Sequence, residues 1–422
     1  MRVLIINTSE RTGGAAVAAN RLMDALNNNG VKAKMLVRDK TTDDIRVVKV
    51  PQRGMHWKFL WDRWWVFWHL HFQKEHLFEV DGAIAGSDVT KIREFKEADV
   101  IHLHWVNQGF LSMHTLNKIM NSGKPVVWTM HDLWPATAIC HYARQCPNFK
   151  TACKHCPLLP GNGSEHDWAN KIWRKKQKLL TAGTVNFVAC SNWLATQARQ
   201  SALLRRQQVS SIPNTINTHV YRPQPRQEAR LAAGLPANKK IILFVSQRVT
   251  DERKGLTYFV KALNTLAEKY PDTKDRVAVA ILGGHAEEVP SLPFETFPLG
   301  YVNNDIKLVN IYSSSDVFVL PSLEDNLPNT IMEALACGVP CVGFQTGGIP
   351  EMIDHQQNGY IAQYKNAEDL ARGIRWVLDE ADHDTLANNA LRKAQTSYSE
   401  QSVAMKYIEV YNQAMAFKRC HL

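Results

Sequence analysis

Residues 316–344, DVFVLPSLEDNLPNTIMEALACGVPCVGF, constrain the fold more tightly than any other stretch of the chain. Two short apolar runs, Asp316 to Leu320 and Cys341 to Phe344, read as strands buried on both faces. Between them lie a polar loop and a helical segment, Thr330 to Ala336, which Gly338 and Pro340 stop. Strand, loop, helix and strand in that order imply a parallel sheet with the loop at its carboxyl edge, where such sheets bind ligands. Asp325 falls on the loop and Glu333 lies two turns along the helix, so both carboxylates can point into one crevice.

The same alternation runs through the whole chain. Strand-like runs recur at Arg2 to Ile6, Ala33 to Val37, Asp99 to Leu103, Pro125 to Met130 and Val185 to Cys190. A second series follows at Lys240 to Ser246, Val277 to Leu282, Asp316 to Leu320, Cys341 to Phe344 and Tyr360 to Ala362. Between the series, Ser211 to Lys240 carries four prolines and polar turn residues, which marks a lobe boundary. The expected fold is therefore α/β, with two Rossmann-like doubly wound lobes, 1–210 and 211–397, facing across a cleft. A length of 422 residues suits two such domains. With 45% hydrophobic and 21% charged residues, and no repeat or low-complexity tract, fibrous and disordered classes are excluded. MRVLIINTSE is too short in its apolar core for a signal peptide, so the expectation is a first strand and a cytoplasmic protein. The net charge of +10 suits an anionic partner such as a nucleotide diphosphate, lipid headgroups or nucleic acid.

Five local features carry chemistry. Gly13 and Gly14 follow the first strand; turn chemistry and close approach to a phosphate or sugar both fit them, without the GxGxxG dinucleotide pattern. Met55 to Phe78 sets Trp57, Trp61, Trp64, Trp65, Trp68 and Phe72 on one helix face. Such a helix either packs on its own lobe or lies in a bilayer interface, giving peripheral contact at the inner face of the membrane through 55–78. Cys140, Cys146, Cys153 and Cys156 end in a CxxC half-site; a structural zinc, free thiols and disulfides are the three readings, and four thiolates leave no open position for catalysis. Cys190, Cys337, Cys341 and Cys420 include three in apolar surroundings, the usual setting of a core hydrophobe. His131 and Asp132 close an apolar strand. Arg248 and Lys254, with Arg253 between, follow another; two cations there can neutralise a diphosphate leaving group, although a solvated basic turn has the same composition.

Taken in order, the GG turn, His131–Asp132, the IPN run at Ile212 to Asn214, the Arg248 and Lys254 pair, ILGG at Ile281, GYV at Gly300, LPS at Leu320, EALACGVP and GGIPEMI resemble retaining glycosyltransferases of family 4, which have the two-lobed GT-B fold. The resemblance covers nearly the whole chain. It implies transfer of a sugar from a nucleotide diphosphate sugar to a glycan or lipid-linked saccharide with the anomeric configuration kept and no catalytic metal. It also implies an acceptor-side first lobe, a donor-binding second lobe, and a terminal helix, 398–422, crossing back to the first. The family's hallmark of two glutamates with seven residues between them places Glu333 on the nucleotide ribose and Asp325 at the donor sugar. Asp325 is one carbon short of the usual glutamate, so Glu324 is an alternative. Asn326, Leu327 and Pro328 replace the customary GFG, and Asn329 completes the donor loop. Arg248 and Lys254 stand one residue farther apart than usual, leaving Arg253 as a substitute, and His131 meets the donor sugar or the acceptor. The Cys-rich loop 140–156 is similar to that of a subset found in bacterial surface polysaccharide synthesis. A sugar-nucleotide epimerase on the same fold and a zinc-bearing nucleic-acid binder are the competing readings; the resemblance implies no nucleic-acid partner.

Overall fold

The first apolar run extends two residues beyond the polar Asn7 to form β1 (Arg2–Ser9), and β2 (Lys32–Asp39) pairs with it in parallel, Ile5 opposite Met35. The structure, a computed structural model, describes residues 1–51, 54–181 and 183–419. It divides into two compact units, Met1–Pro213 with Val403–Leu422, and Asn214–Ser402.

The first unit holds a parallel sheet in the order β3-β2-β1-β4-β5-β6-β7, completed by β3 (Val47–Lys49), β4 (Val100–Leu103), β5 (Val126–Met130), β6 (Asn186–Ala189) and β7 (Gln208–Ser211). The central strands bury both faces, as an all-parallel sheet with helices on either side must. One face is covered by the helix Gly14–Asn28 and by Val403, Ala404, Tyr407, Tyr411 and Ala414 of the terminal helix Glu400–Arg419. The other carries a core built around Trp128, Trp134, Phe149 and Phe187.

The second unit holds the sheet β10-β9-β8-β11-β12-β13, from β8 (Lys240–Arg248), β9 (Val277–Gly284), β10 (Glu295–Gly300), β11 (Val317–Leu320), β12 (Cys341–Phe344) and β13 (Gly359–Ala362). Its strand direction is parallel throughout, Val317 pairing with Ile242 and Val319 with Val342. Both sheets therefore have doubly wound topology, with the order reversing at β1/β4 in one and at β8/β11 in the other. In each unit taken by itself, such a reversal at the carboxyl ends of the strands is where doubly wound sheets bind ligands.

The strands absent from the sequence reading are β3, β7 and β10, and all three are sheet edges. Their sequences, VVK, QVSS and ETFPLG, lack a continuous apolar run because one side faces solvent. Pro298 is tolerated in β10 because an edge strand need not donate every amide to a neighbour.

Candidate functional site

In the second unit, β8 runs to Arg248 and β11 ends just before Pro321, side by side across the point where the strand order reverses. The register of β8 slips between Val245 and Arg248, after which Arg248 pairs with Gly284 of β9 and stays exposed. The Ser246 hydroxyl donates to the Arg248 carbonyl at 2.7 Å. A short turn, Glu252–Lys254, then brings Lys254 back over the sheet, and its Nζ meets Asp325 Oδ2 at 2.5 Å. Ser322 donates to the same carboxylate at 3.2 Å. Arg253 is directed elsewhere: its Nη2 pairs with Asp251 at 2.8 Å, while its carbonyl accepts from the Leu323 amide at 2.7 Å.

Two glycines make this approach possible. A Cβ on Gly255, whose φ is +75°, would sit 1.9 Å from the Pro321 carbonyl oxygen. A Cβ on Gly347, at φ +56°, would sit 1.7 Å from the Asp325 carbonyl oxygen. Any side chain at either position would push the acidic loop off its seat.

The helix Asn329–Ala336 begins directly after Pro328, which has no amide hydrogen and fixes the entry of the chain. Asn329 Oδ1 accepts from Asn214 Nδ2 at 3.0 Å, tying the end of the acidic loop to the IPN run. Asn326, Leu327 and Pro328 are buried, so they form the floor of the loop. Glu333 is buried and its Oε2 accepts from the Tyr312 hydroxyl at 2.8 Å. Burial, then the charge of Glu333, push that phenol well above its ordinary range, so Tyr312 stays a donor. Tyr312 gave no sequence signal: it lies 21 residues upstream in an unremarkable helix.

The first unit arranges different chemistry at its strand ends. Gly13 has φ +92° and open space above its Cα, at the start of the helix Gly14–Asn28. His131 follows β5; its Nε2 lies 2.9 Å from His104 Nδ1 and its Nδ1 lies 3.5 Å from the Cys190 sulfur. Behind it, His102 joins the Thr129 hydroxyl at 2.7 Å and Tyr411 at 2.7 Å, and Thr129 joins Tyr407 at 2.9 Å. Burial lowers the imidazole pKa values, to about 4 at His131 and about 3 at His102. Asp132 is held by His141 at 2.7 Å, the Trp134 amide at 2.9 Å and the Trp105 indole at 3.0 Å. Burial raises its carboxyl, and the charge and hydrogen bond of His141 with these two donors outweigh it, leaving the pKa low. His102 and His104 were legible only as IHLHW, an alternation that places two imidazoles on one face of β4 and its extension.

Cys140, Cys146, Cys153 and Cys156 all line one cavity of about 650 Å³, with His155 and Tyr142. Burial pushes the Cys140 thiol up to about 11 and Cys156 to about 12. Four soft thiols around one space fit zinc by donor chemistry, and among the described residues no three of these sulfurs lie within 4.8 Å of one another. Cys190, Cys337 and Cys341 are buried in the cores, while Cys420 lies outside the described residues.

The description "Glycosyltransferase Family 4" matches residues 12–220, and "Glycosyl transferases group 1" matches residues 239–380. An uncharacterized glycosyltransferase of Methanocaldococcus jannaschii is 31% identical over 193 residues, 44% of this chain and 48% of that one. The N,N'-diacetylbacillosaminyl-diphospho-undecaprenol alpha-1,3-N-acetylgalactosaminyltransferase of Campylobacter jejuni is 29% identical over 181 residues, 42% of this chain and 46% of that one. The matched part thus spans about half the length of both relatives. Among solved structures, Anabaena HepE in complex with UDP-glucose superposes with a TM-score of 0.62 at 15% identity, over 98% of this chain and 100% of that one.

Proposed function

We propose that this chain, which belongs to the GT-B glycosyltransferases, moves a sugar from a nucleotide diphosphate sugar to an acceptor hydroxyl with retention of configuration and without a catalytic metal. The observation that carries the reading is the Lys254–Asp325 pair beside the end of β8, which carries the exposed Arg248, at the reversal of strand order. Departure of the diphosphate develops negative charge. Arg248 offers a planar fork and Lys254 a point charge to receive it, supplying the charge that a divalent ion would otherwise bring. Attack from the leaving-group face lets a diphosphate oxygen take the acceptor proton, so no side-chain base is required.

Glu333 accepts from the ribose hydroxyls while Tyr312 holds its other oxygen, and Asn326 to Asn329 shape the donor loop. Asp325, positioned by Lys254 and Ser322, hydrogen-bonds the donor sugar. His131, neutral at physiological pH, serves the sugar or the acceptor as a hydrogen-bonding group, and the open space at Gly13, in the Gly13–Gly14 turn, leaves room for the acceptor. The acceptor is a glycan or a lipid-linked saccharide in surface polysaccharide synthesis; the Campylobacter relative is named for a diphospho-undecaprenol acceptor, which supports this class. The UDP-glucose in the Anabaena protein supports a nucleotide sugar as donor. A structural zinc, where bound, is held by Cys140, Cys146, Cys153 and Cys156 and would deprotonate thiols that burial keeps neutral.

Thermal melting against a panel of nucleotide diphosphates and nucleotide sugars tests the reading, since a ligand bound to the folded state must raise its apparent stability. One nucleotide series should raise Tm, and the corresponding sugar nucleotide should be consumed only when an acceptor is present. No shift with any nucleotide, or consumption without acceptor, overturns transfer. The zinc assignment predicts about one zinc per chain and a lower Tm after chelation.

A further inference from the structure

The helix Met55–His69 is built with Asp62 and Arg63 inside and four of its five tryptophans outside; Trp65, expected on the same face, packs half-buried against the core instead. Asp62, Arg63, Val66 and Met55 are its buried residues. Arg63 lies 2.6 Å from both Asp62 and Asp81 and donates to the Leu77 carbonyl at 2.7 Å, so this face is fixed by a buried polar knot. The opposite face exposes Trp57, Trp61, Trp64 and Trp68, at 74, 51, 46 and 52%, and Phe72 continues it at 57%. The rings form a ladder, with centroids 5.3 Å apart for Trp61 and Trp64, 5.8 Å for Trp64 and Trp68, and 5.5 Å for Trp68 and Phe72. Isolated exposed apolar side chains are ordinary; a contiguous row of large aromatics marks an interaction surface.

A second helix adjoins the first. His69 stacks on Trp168 at 4.8 Å, and Trp168 opens the helix Trp168–Thr181. That helix buries Trp168, Ile172, Trp173, Leu179 and Leu180 and exposes Lys171, Arg174, Lys175 and Lys178, a basic face at helical spacing. The bias extends to the whole unit. Met1–Pro213 with Val403–Leu422 has 32 Lys and Arg against 17 Asp and Glu, a net +15, whereas Asn214–Ser402 has 18 against 23, a net −5.

We propose that the aromatic ladder and the adjoining basic face form one docking surface for a bilayer rich in anionic phospholipid. Tryptophan is the side chain suited to the headgroup boundary, its ring apolar and its N–H wet, while lysine and arginine meet lipid phosphates. The ladder lies along the helix, so the helix rests in the plane of the interface, and among the described residues no helix is long and apolar enough to cross a membrane. The attachment is peripheral, reversible and weakened by salt. A soluble protein partner would need a surface at once acidic and apolar; an anionic bilayer supplies both in one plane.

The test uses the full chain and vesicles alone, with no donor or acceptor, so its failure is separate from failure of the transferase reading. Vesicles of phosphatidylcholine with phosphatidylglycerol should sediment about tenfold or more protein than phosphatidylcholine vesicles, and added salt should reverse this. Brominated lipid should quench tryptophan fluorescence. Trp61→Ser with Trp64→Ser and Trp68→Ser should lose about tenfold or more in binding and most of the quenching. Lys171→Gln with Arg174→Gln, Lys175→Gln and Lys178→Gln should lose the preference for phosphatidylglycerol while keeping residual binding. Melting temperature and circular dichroism check that the variants fold; where the serine set does not, phenylalanine replacements keep the packing and should restore binding only in part. Equal binding by wild type and tryptophan variants, or no binding by wild type to either vesicle, overturns the proposal. Loss of a dimer in the tryptophan variants with vesicle binding unchanged also overturns it, assigning the ladder to a second copy of the chain.

Discussion

The two units place opposite chemistry at equivalent points of the same topology. Where the second sheet reverses its strand order, it presents an ion pair, an exposed strand-end arginine and a buried glutamate. Beyond the carboxyl ends of β4 and β5, the first sheet presents imidazoles, a thiol and hydroxyls joined in a buried chain with neutral members. The difference shows that the topology supplies only a place. Charge at that place suits a diphosphate, whereas a neutral hydrogen-bonding network suits hydroxyls and makes its unit sensitive to acid.

The sharpest way to break the comparison is to remove the charges. Arg248→Ala or Lys254→Ala should lower turnover roughly 10²- to 10³-fold with the donor found by melting, the loss expected when a preorganised group facing developing charge is removed. An undiminished kcat in either variant would show that the charged cluster is structural. Acid should separate the units next. His102 and His131, with folded pKa values of about 3 and about 4, and His104, lowered by burial, stand near 6.5 once unfolded. Between about pH 6.5 and 4 the unfolded chain therefore binds more protons, so stability is present above that window and is lost as pH falls through it. The loss amounts to roughly 1.4 kcal/mol per pH unit for each histidine. Hydrogen exchange followed from pH 7 to pH 5 should show the strands β4 and β5 opening first; a loss led by β8 and β11 would overturn the contrast.

Glu333→Ala probes the second unit at smaller scale. It leaves the buried Tyr312 hydroxyl without its acceptor and should cost about 1–3 kcal/mol in denaturant unfolding, along with nucleotide affinity. Adding Tyr312→Phe should return part of the stability and none of the affinity. The smallest effect is expected at Tyr411→Phe, which removes one hydrogen bond to His102, about 1 kcal/mol. That loss should appear in the first unit's melting without changing nucleotide binding. A change in nucleotide affinity there would mean that the neutral network reaches the donor.

The acidic loop was legible because its partners are close in sequence and typed by chemistry. Asp325 and Glu333 stand on one strand–loop–helix segment, and Arg248 and Lys254 on another that begins at a recognisable buried strand. The same reading left the pairing open among Arg253, Lys254, Glu324 and Asp325. Backbone geometry links Lys254 to Asp325: Gly255 and Gly347 let two chain segments approach within a distance that any Cβ would forbid, while Arg253 turns to Asp251. The histidine chain was largely hidden. Its members come from β4, β5, the end of β6 and a helix some 280 residues farther on, and no local spacing encodes such a meeting.

The sequence by itself determined the two doubly wound sheets, because a strand buried on both faces must be written as an apolar run wherever it occurs. It also determined an aromatic helix starting at Met55, which ends at His69 where 55–78 was expected, and left open which way that helix faced. Tertiary structure decided the facing. Asp62 and Arg63 are the polar residues of an apolar-looking segment, and periodicity alone would turn them to solvent; Asp81 and the carbonyls of Leu77 and Val80 give them buried partners instead. Turning that pair inward leaves Trp57, Trp61, Trp64 and Trp68 facing out, since a helix that buries one face must expose the other.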